Sequence, residues 1–392
     1  MTDVTAPLSG IRVLELGALV AAPYCGMLLA DLGADVIKIE PPEGDMARAF
    51  APFVNGESAF FMSVNRGKRS VRLDLKDPSA LAWVRNLASR SDVLIHNYRT
   101  GVAQRLGLGY DDLVDSNPGL VYCAVSGFGP TGPMAKRPAI DLLFQAESGM
   151  MAITGEESGP PVKVGSNAAD VYAATVSAAC INAALVRRAS TGRGCQVDVA
   201  LRDAFLALQA CWVGSYLATG EQPSRLGSGS PFTAPTEVLP TADGTIVLAV
   251  VNAKHWQIFC AVLEMPELVD DPRFLDNESR VAHASKLKLL VKDRLATRTT
   301  AAWLTEFDAA GIPAGRVMDY ADVVADEQVQ HNQMILEMTH GRAGSVRMQG
   351  IPFWFDGRKA EPTLAPPILG EHTQQILEEL GCLPDEAARL AG

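Results

Sequence analysis

Short runs of aliphatic and β-branched residues alternate with helix-spaced stretches through the first half of the chain. IRVLELG (11–17) reads as a strand. PYCGMLLADLG (23–33) has helical spacing, with Pro in its first turn and Gly at its end, and DVIKIE (35–40) reads as a second strand. The pattern recurs: PSALAWVRNLASRS (78–91) as a helix, VLIHN (93–97) and LVYCAVSGF (120–128) as strands. This alternation predicts an α/β fold, a mainly parallel sheet with helices on both faces.

From Asp170 to Ala189 the apolar positions Val171, Ala174, Ala178, Ile181 and Leu185 keep a helical period, and Arg187 and Arg188 fill the last turn before Gly192. QVDVAL (196–201) follows as a strand, then DAFLALQACWVGSYLATG (203–220) as one largely buried helix. EQPSRLGSGSPFTAPTE (221–237) is rich in Gly, Ser and Pro and lacks periodicity, so it reads as a linker or loop. Beyond it, DGTIVLAVVN (243–252) reads as a strand and AKHWQIFCAVLEM (253–265) and TTAAWLTEFDAAG (299–311) as helices. The expected organisation is a large domain over 1–220, a linker over 221–237, a smaller α/β domain over 238–325, and a carboxy-terminal segment over 326–392.

A chain of 392 residues is too long for one core and suggests roughly two domains. With 48% hydrophobic and 20% charged residues, its composition is that of a folded protein throughout. The net charge of −11 argues against nucleic acid or an anionic membrane as partner, since both need clustered positive charge. Seven cysteines without a CxxC pair read as free thiols in a reducing cytosol. The start, MTDVTAPLSGIRVLELG, has no charged-then-apolar leader pattern and no uninterrupted apolar run reaches bilayer length, so the expected location is cytoplasmic.

Candidate chemistry narrows the field further. GALVAAP (17–23) after the first strand lacks the GxGxxG spacing of a dinucleotide site. None of the six histidines falls in a ligand-like arrangement, so no metal is expected, and there is no GxSxG elbow. NRGKRS (65–70), Lys76, Arg99 and Arg105, with Asn97-Tyr98, form either a solvated surface or a site for a phosphorylated cofactor. GSGS (227–230) is a linker or a flap over a reactive centre. Asp170, an acid among small and apolar residues at a helix start, reads first as a cap. The amides and dipole there are expected to keep it ionised at neutral pH, and a carboxylate can act as a covalent nucleophile.

LSGIRVLELG, LADLGADVIKIEPPEGD (29–45), NRGKRSVRLDLKDP (65–78), HNYRTGVAQRLGLGY (96–110), VSGFGPTGP (125–133), the segment ending AADVYAA, TGRGCQVDVAL (191–201) and APPILGEHTQQILEELG (365–381) occur in this order. Together they resemble the class III coenzyme A transferases, a family that also holds the α-methylacyl-CoA racemases. The resemblance implies a Rossmann-like large domain built from the amino-terminal half and the carboxy-terminal tail, a smaller α/β domain between them, and a ring-like chain forming an interlocked homodimer. It implies that Asp170 is the nucleophile, passing through an aspartyl anhydride and an aspartyl-CoA thioester. Coenzyme A is then the carrier, with an acyl-CoA donor and a carboxylic acid as substrates.

CoA contacts carried over by position are Val20, Ala21, Leu73, Lys76, Asn97, Tyr98, Arg105 and Leu106. Gly227, Ser228, Gly229 and Ser230 match the family's glycine-rich loop, with serine alternating where the family has glycine throughout. Pro41 stands where one family member has an arginine. Phe50 falls near the segment that varies with the acid. Succinyl-CoA is the expected donor and a small organic acid the expected acceptor. A racemase is the alternative, but it needs a histidine where AID (139–141) places Ile140. A catalytically silent CoA-binding protein of the same fold is a third reading.

Overall fold

The computed structural model describes residues 6–391. MTDVT, on which the expectation of no leader partly rests, lies outside them, as does Gly392. Six strands make the central sheet: β1 (Arg12–Glu15), β2 (Asp35–Glu40), β3 (Lys68–Arg72), β4 (Val93–His96), β5 (Val121–Ser126) and β6 (Cys195–Ala200). All neighbours are parallel, in the order β3-β2-β1-β4-β5-β6. The chain winds outward from β1 to β3, returns to β4 on the other side of β1, and winds outward again. Loops leaving β1 and β4 therefore diverge and leave a crevice at the strands' carboxyl ends, where open parallel sheets bind ligands.

Helices α1 (Ala21–Asp31), α2 (Pro78–Ser89), α3 (Asp141–Glu147), α4 (Ala168–Thr191), α5 (Leu201–Leu208) and α6 (Ala210–Thr219) accompany the sheet. Successive strand residues point to opposite faces, and both faces are covered. Val13, Val36 and Val93 join α1, α4 and α5 in one core, while Leu14, Ile37 and Leu94 join α2 and the tail helix Thr373–Glu379 in another. This is why the strands read as continuous apolar runs. Helix α4 is long and apolar enough to cross a membrane by length and composition. It is a core helix here: Ala169, Ala173, Ala174 and Ile181 are buried, and their small side chains let it lie against α1.

Two expectations are corrected. Residues 203–220 form not one buried helix but α5 and α6, parted at Gln209, whose side-chain amide donates to the carbonyls of Ser148 and Phe205. Apolar composition did not bring burial: Leu217 on α6 is 76% exposed. Arg66 and Lys68 of NRGKRS are neither a solvated surface nor a phosphate site, because both are buried, Arg66 pairing with Asp31 at 2.6 Å and Lys68 with Glu15 at 2.8 Å, while half-buried Arg69 pairs with Asp35 and Glu379.

The chain divides into two compact units. One comprises the chain through Met150, Val164–Thr219 and Glu327 onward; the other comprises Met151–Lys163 and Gly220–Asp326. The second unit has a three-stranded antiparallel sheet of β7 (Thr236–Pro240), β8 (Thr245–Ala249) and β9 (Ala314–Arg316), with β8 central. Its core sets Trp256, Phe259, Trp303 and Phe307, all buried, among aliphatic side chains.

Candidate active site

The loop that leaves β1, Gly17–Val20, is held from three sides. Asn97, just past β4, accepts the Ala18 amide through Oδ1 at 2.9 Å and donates through Nδ2 to the Ala18 carbonyl at 2.8 Å. Lys38 on β2 donates to the Gly17 carbonyl at 2.7 Å, and Asp45 accepts the Leu19 amide at 3.0 Å. Gly17 has no room for a side chain, since a Cβ there would lie 2.4 Å from the Ala22 Cβ. These clamps fix the mouth of α1, whose N-terminus has no side-chain cap. Burial opposes the Lys38 charge, yet Glu15, Asp45 and Glu40 outweigh it and hold its pKa above the ordinary lysine value. Glu15, Lys38 and Asp45 were missed in the sequence, and Lys68 was read only as a cation of NRGKRS; the visible signal was charge inside apolar strands, as in LELG and DVIKIE.

The expected CoA contacts gather on the loops leaving β1, β3 and β4. Val20, Ala21 and Leu73 are buried, with the Val20 carbonyl accepting the Tyr24 amide and the Leu73 amide donating to the Glu40 carbonyl. Asn97 spends its amide on Ala18, so its first role is to shape the crevice. Tyr98 stacks on the His96 ring at 5.5 Å, and burial pushes its hydroxyl up to about 12. His96 is kept neutral, burial lowering it to about 4, and its Nε2 meets the Tyr122 hydroxyl at 2.9 Å. Lys76 and Arg105 are exposed and form no salt bridge among the described residues. Leu106 is half-buried, and its carbonyl accepts from Arg85.

Asp170 lies in the first turn of α4, as expected, but it is not the cap. That part is played by Asp141, the first residue of α3, whose Oδ1 accepts the amides of Ala169 at 2.9 Å and Asp170 at 3.3 Å. Gln145, one turn along α3 and fully buried, donates to Asp141 at 2.6 Å and to the Ser166 carbonyl at 3.1 Å, and accepts the Val164 amide at 2.8 Å. The pair fastens residues 164–170 to α3 and leaves the Asp170 carboxylate without a hydrogen bond among the described residues. The expectation that Asp170 stays fully ionised at neutral pH is overturned. Burial, and then the neighbouring Asp141 charge, push its pKa up to about 7. The signal for Asp141 and Gln145 was two polar residues four apart in the otherwise apolar DLLFQ, which share a helix face.

The GSGS loop belongs to the second unit and is internally tied. Gly227, at φ 58°, donates its amide to the Gly155 carbonyl, Ser228 Oγ accepts from the Val238 amide, and Ser230 Oγ accepts from Phe232. Phe50 is exposed, with its ring edge-on to Phe60 at 5.5 Å and its carbonyl accepting from Ser58. An apolar recess of 490 Å³ runs along α3, lined by Ile140, Leu142, Leu143 and Ala146 with Arg99 at its edge. Ile140 offers no titrating group on that face. Among the described residues no cluster of His, Cys, Asp or Glu is arranged to hold a metal.

Comparison with known proteins shows the family. The model of CoA-transferase family III matches residues 8–373. The chain is 38% identical over 391 residues to the succinate–glutarate CoA-transferase of Agrobacterium fabrum, covering 97% of this chain and 98% of that one. It is 37% identical over 380 residues to the succinyl-CoA:glutarate CoA-transferase of Mus musculus, covering 96% and 87%. A crystal structure of a CAIB/BAIF family protein from Brucella suis superposes with a TM-score of 0.85 at 36% identity, covering 96% of this chain and 100% of the other. Matched over nearly its whole length, the chain belongs to CoA-transferase family III and is a class III acyl-CoA:carboxylate CoA-transferase.

Proposed function

We propose that this enzyme transfers CoA from succinyl-CoA to a small dicarboxylic acid through Asp170. The observation that carries the reading is the Asp170 carboxylate itself, set in a helix start whose amides Asp141 already occupies. A cap would be consumed by its amides; this group is free to attack. The names of the relatives from Agrobacterium fabrum and mouse support the donor and the class of acceptor.

The chemistry balances without metal or nucleotide. One Asp170 oxygen bonds to the succinyl carbonyl carbon and the CoA thiolate leaves, giving a mixed anhydride. The thiolate then bonds to the Asp170 carbonyl carbon, succinate departs, and an aspartyl-CoA thioester remains. The acceptor carboxylate attacks that thioester and releases the thiolate, which then attacks the acceptor acyl carbon and frees Asp170. Each step exchanges one activated acyl group for another, so the protein has to position the partners and keep water out. Placing CoA on the loops leaving β1, β3 and β4 puts the thioester in the crevice of the sheet. The GSGS loop, Lys76, Arg105 and Phe50 are assigned as family resemblance places them.

We also infer an interlocked homodimer in the cytosol. Exposed Leu206 and Leu208 on α5 and Leu217 on α6 leave apolar side chains for a partner to cover, and the seven cysteines are free thiols. The test of the reaction is transfer itself: wild-type protein with succinyl-CoA and glutarate is expected to form glutaryl-CoA, and Asp170→Asn to lose at least about 10³-fold in kcat. Full activity in Asp170→Asn would overturn the assignment.

A further inference from the structure

On the footing of the CoA-transferase reading above, we propose that Lys38 is a positioning residue for the CoA thioester, holding the Gly17–Val20 loop in the shape the crevice requires. The Lys38 side chain is fully buried and lies within 2.8 Å of three oxygens: it donates to Glu15 at 2.8 Å and to the Gly17 carbonyl at 2.7 Å, and it forms an ion pair with Asp45 at 2.8 Å. Asp45 passes the constraint on, since its other oxygen accepts the amides of Leu19 and Ala47. Glu15 cannot yield, because its second oxygen pairs with buried Lys68, itself bound to the Pro23 carbonyl and to Asn65.

Two features show that the cluster constrains geometry as well as neutralising charge. Leu19 sits at φ 66°, a left-handed conformation that costs a branched residue on the order of 1 kcal/mol and persists only where its surroundings fix it. The Lys38–Asp45 pair supplies that fixing through the Leu19 amide. Second, buried ion clusters are often replaceable by apolar packing without loss of stability, so a fold needing only cohesion at this point has a simpler solution. The residues so held are those where the β1 loop meets α1, next to Asn97, and the Lys38 charge also acts on Tyr98 across the end of the crevice.

The test compares wild type, Lys38→Met, Asp45→Asn and the double variant Lys38→Met/Leu19→Gly. Free CoA binding is measured by calorimetry, KM and kcat for succinyl-CoA with glutarate as acceptor, and thermal unfolding in parallel. In folded Lys38→Met, Kd for CoA and KM are expected to rise roughly tenfold or more while kcat changes less than about threefold. Glycine adopts φ 66° without a clamp, so the double variant is expected to recover part of the affinity without recovering the melting temperature. If Lys38→Met does not fold, Asp45→Asn, which keeps its volume, is expected to show the same weaker binding. Unchanged Kd in a folded variant, or a loss that tracks melting temperature and ignores Leu19→Gly, would overturn the proposal. If wild type binds CoA but transfers none from succinyl-CoA to glutarate, the substrate assignment fails while the Kd series still decides the role of Lys38.

Discussion

Asp170 shows how one carboxylate can be placed by a helix start and yet not be used by it. Its amide neighbours are served by Asp141, and the same neighbour, after burial, raises its pKa to about 7. Two consequences follow for pH. Attack requires the ionised form, so kcat/KM is expected to rise with pH through about 7 and level off above, and Asp141→Asn, which removes a negative charge, to move that limb toward lower pH. A pH–rate profile checks both. For stability, the folded pKa lies above the unfolded value of about 3.9, so the folded state keeps a proton that the unfolded state has lost between about pH 4 and pH 7. Stability from this group is present below that window and lost as pH rises through it. Asp170→Asn is therefore expected to be more stable than wild type at pH 8, by up to about 4 kcal/mol, and equal to it near pH 4, as read by denaturant titration. Helical spacing revealed the position of Asp170, but not its ionisation, which depends on Asp141, 29 residues away in the chain.

At the scale of elements, local pattern was most legible where a run meets its caps. PYCGMLLADLG, DVIKIE and PSALAWVRNLASRS all became the elements their spacing predicts, α1, β2 and α2. What pattern concealed was the reason for particular residues inside them. Gly26 lies in the middle of α1, where alanine is the better helix former by about 1 kcal/mol. A Cβ at that position would stand 2.1 Å from Glu15 Oε2, inside the buried ion cluster. Gly26→Ala is therefore expected to destabilise the protein by about 1–3 kcal/mol despite its helix propensity, measured by thermal or denaturant unfolding. Helix α6 failed in the opposite sense: its apolar composition promised burial, but burial depends on what lies opposite, which composition does not encode.

For the whole molecule, the parallel sheet and its two covered faces followed from β-α alternation, and the family followed from ordered blocks spanning the chain. The division into units was less visible. The linker near 221–237 stood out by its Gly, Ser and Pro content, but the passage of Met151–Lys163 into the second unit did not, although GEESGPP (155–161) carries the same composition on a shorter scale. The exposed leucines of α5 and α6 bear on assembly. Sedimentation is expected to show a dimer at micromolar concentration, and Leu217→Asp to weaken it; a wild-type monomer would contradict that assembly.

The central claim is that Asp170 is acylated during turnover. Wild-type protein is incubated with succinyl-CoA, quenched with hydroxylamine, digested and examined by mass spectrometry. A hydroxamate on Asp170 is expected that depends on succinyl-CoA and is absent from Asp170→Asn. CoA transfer to glutarate with no label on Asp170, or with the label on another residue, would contradict it.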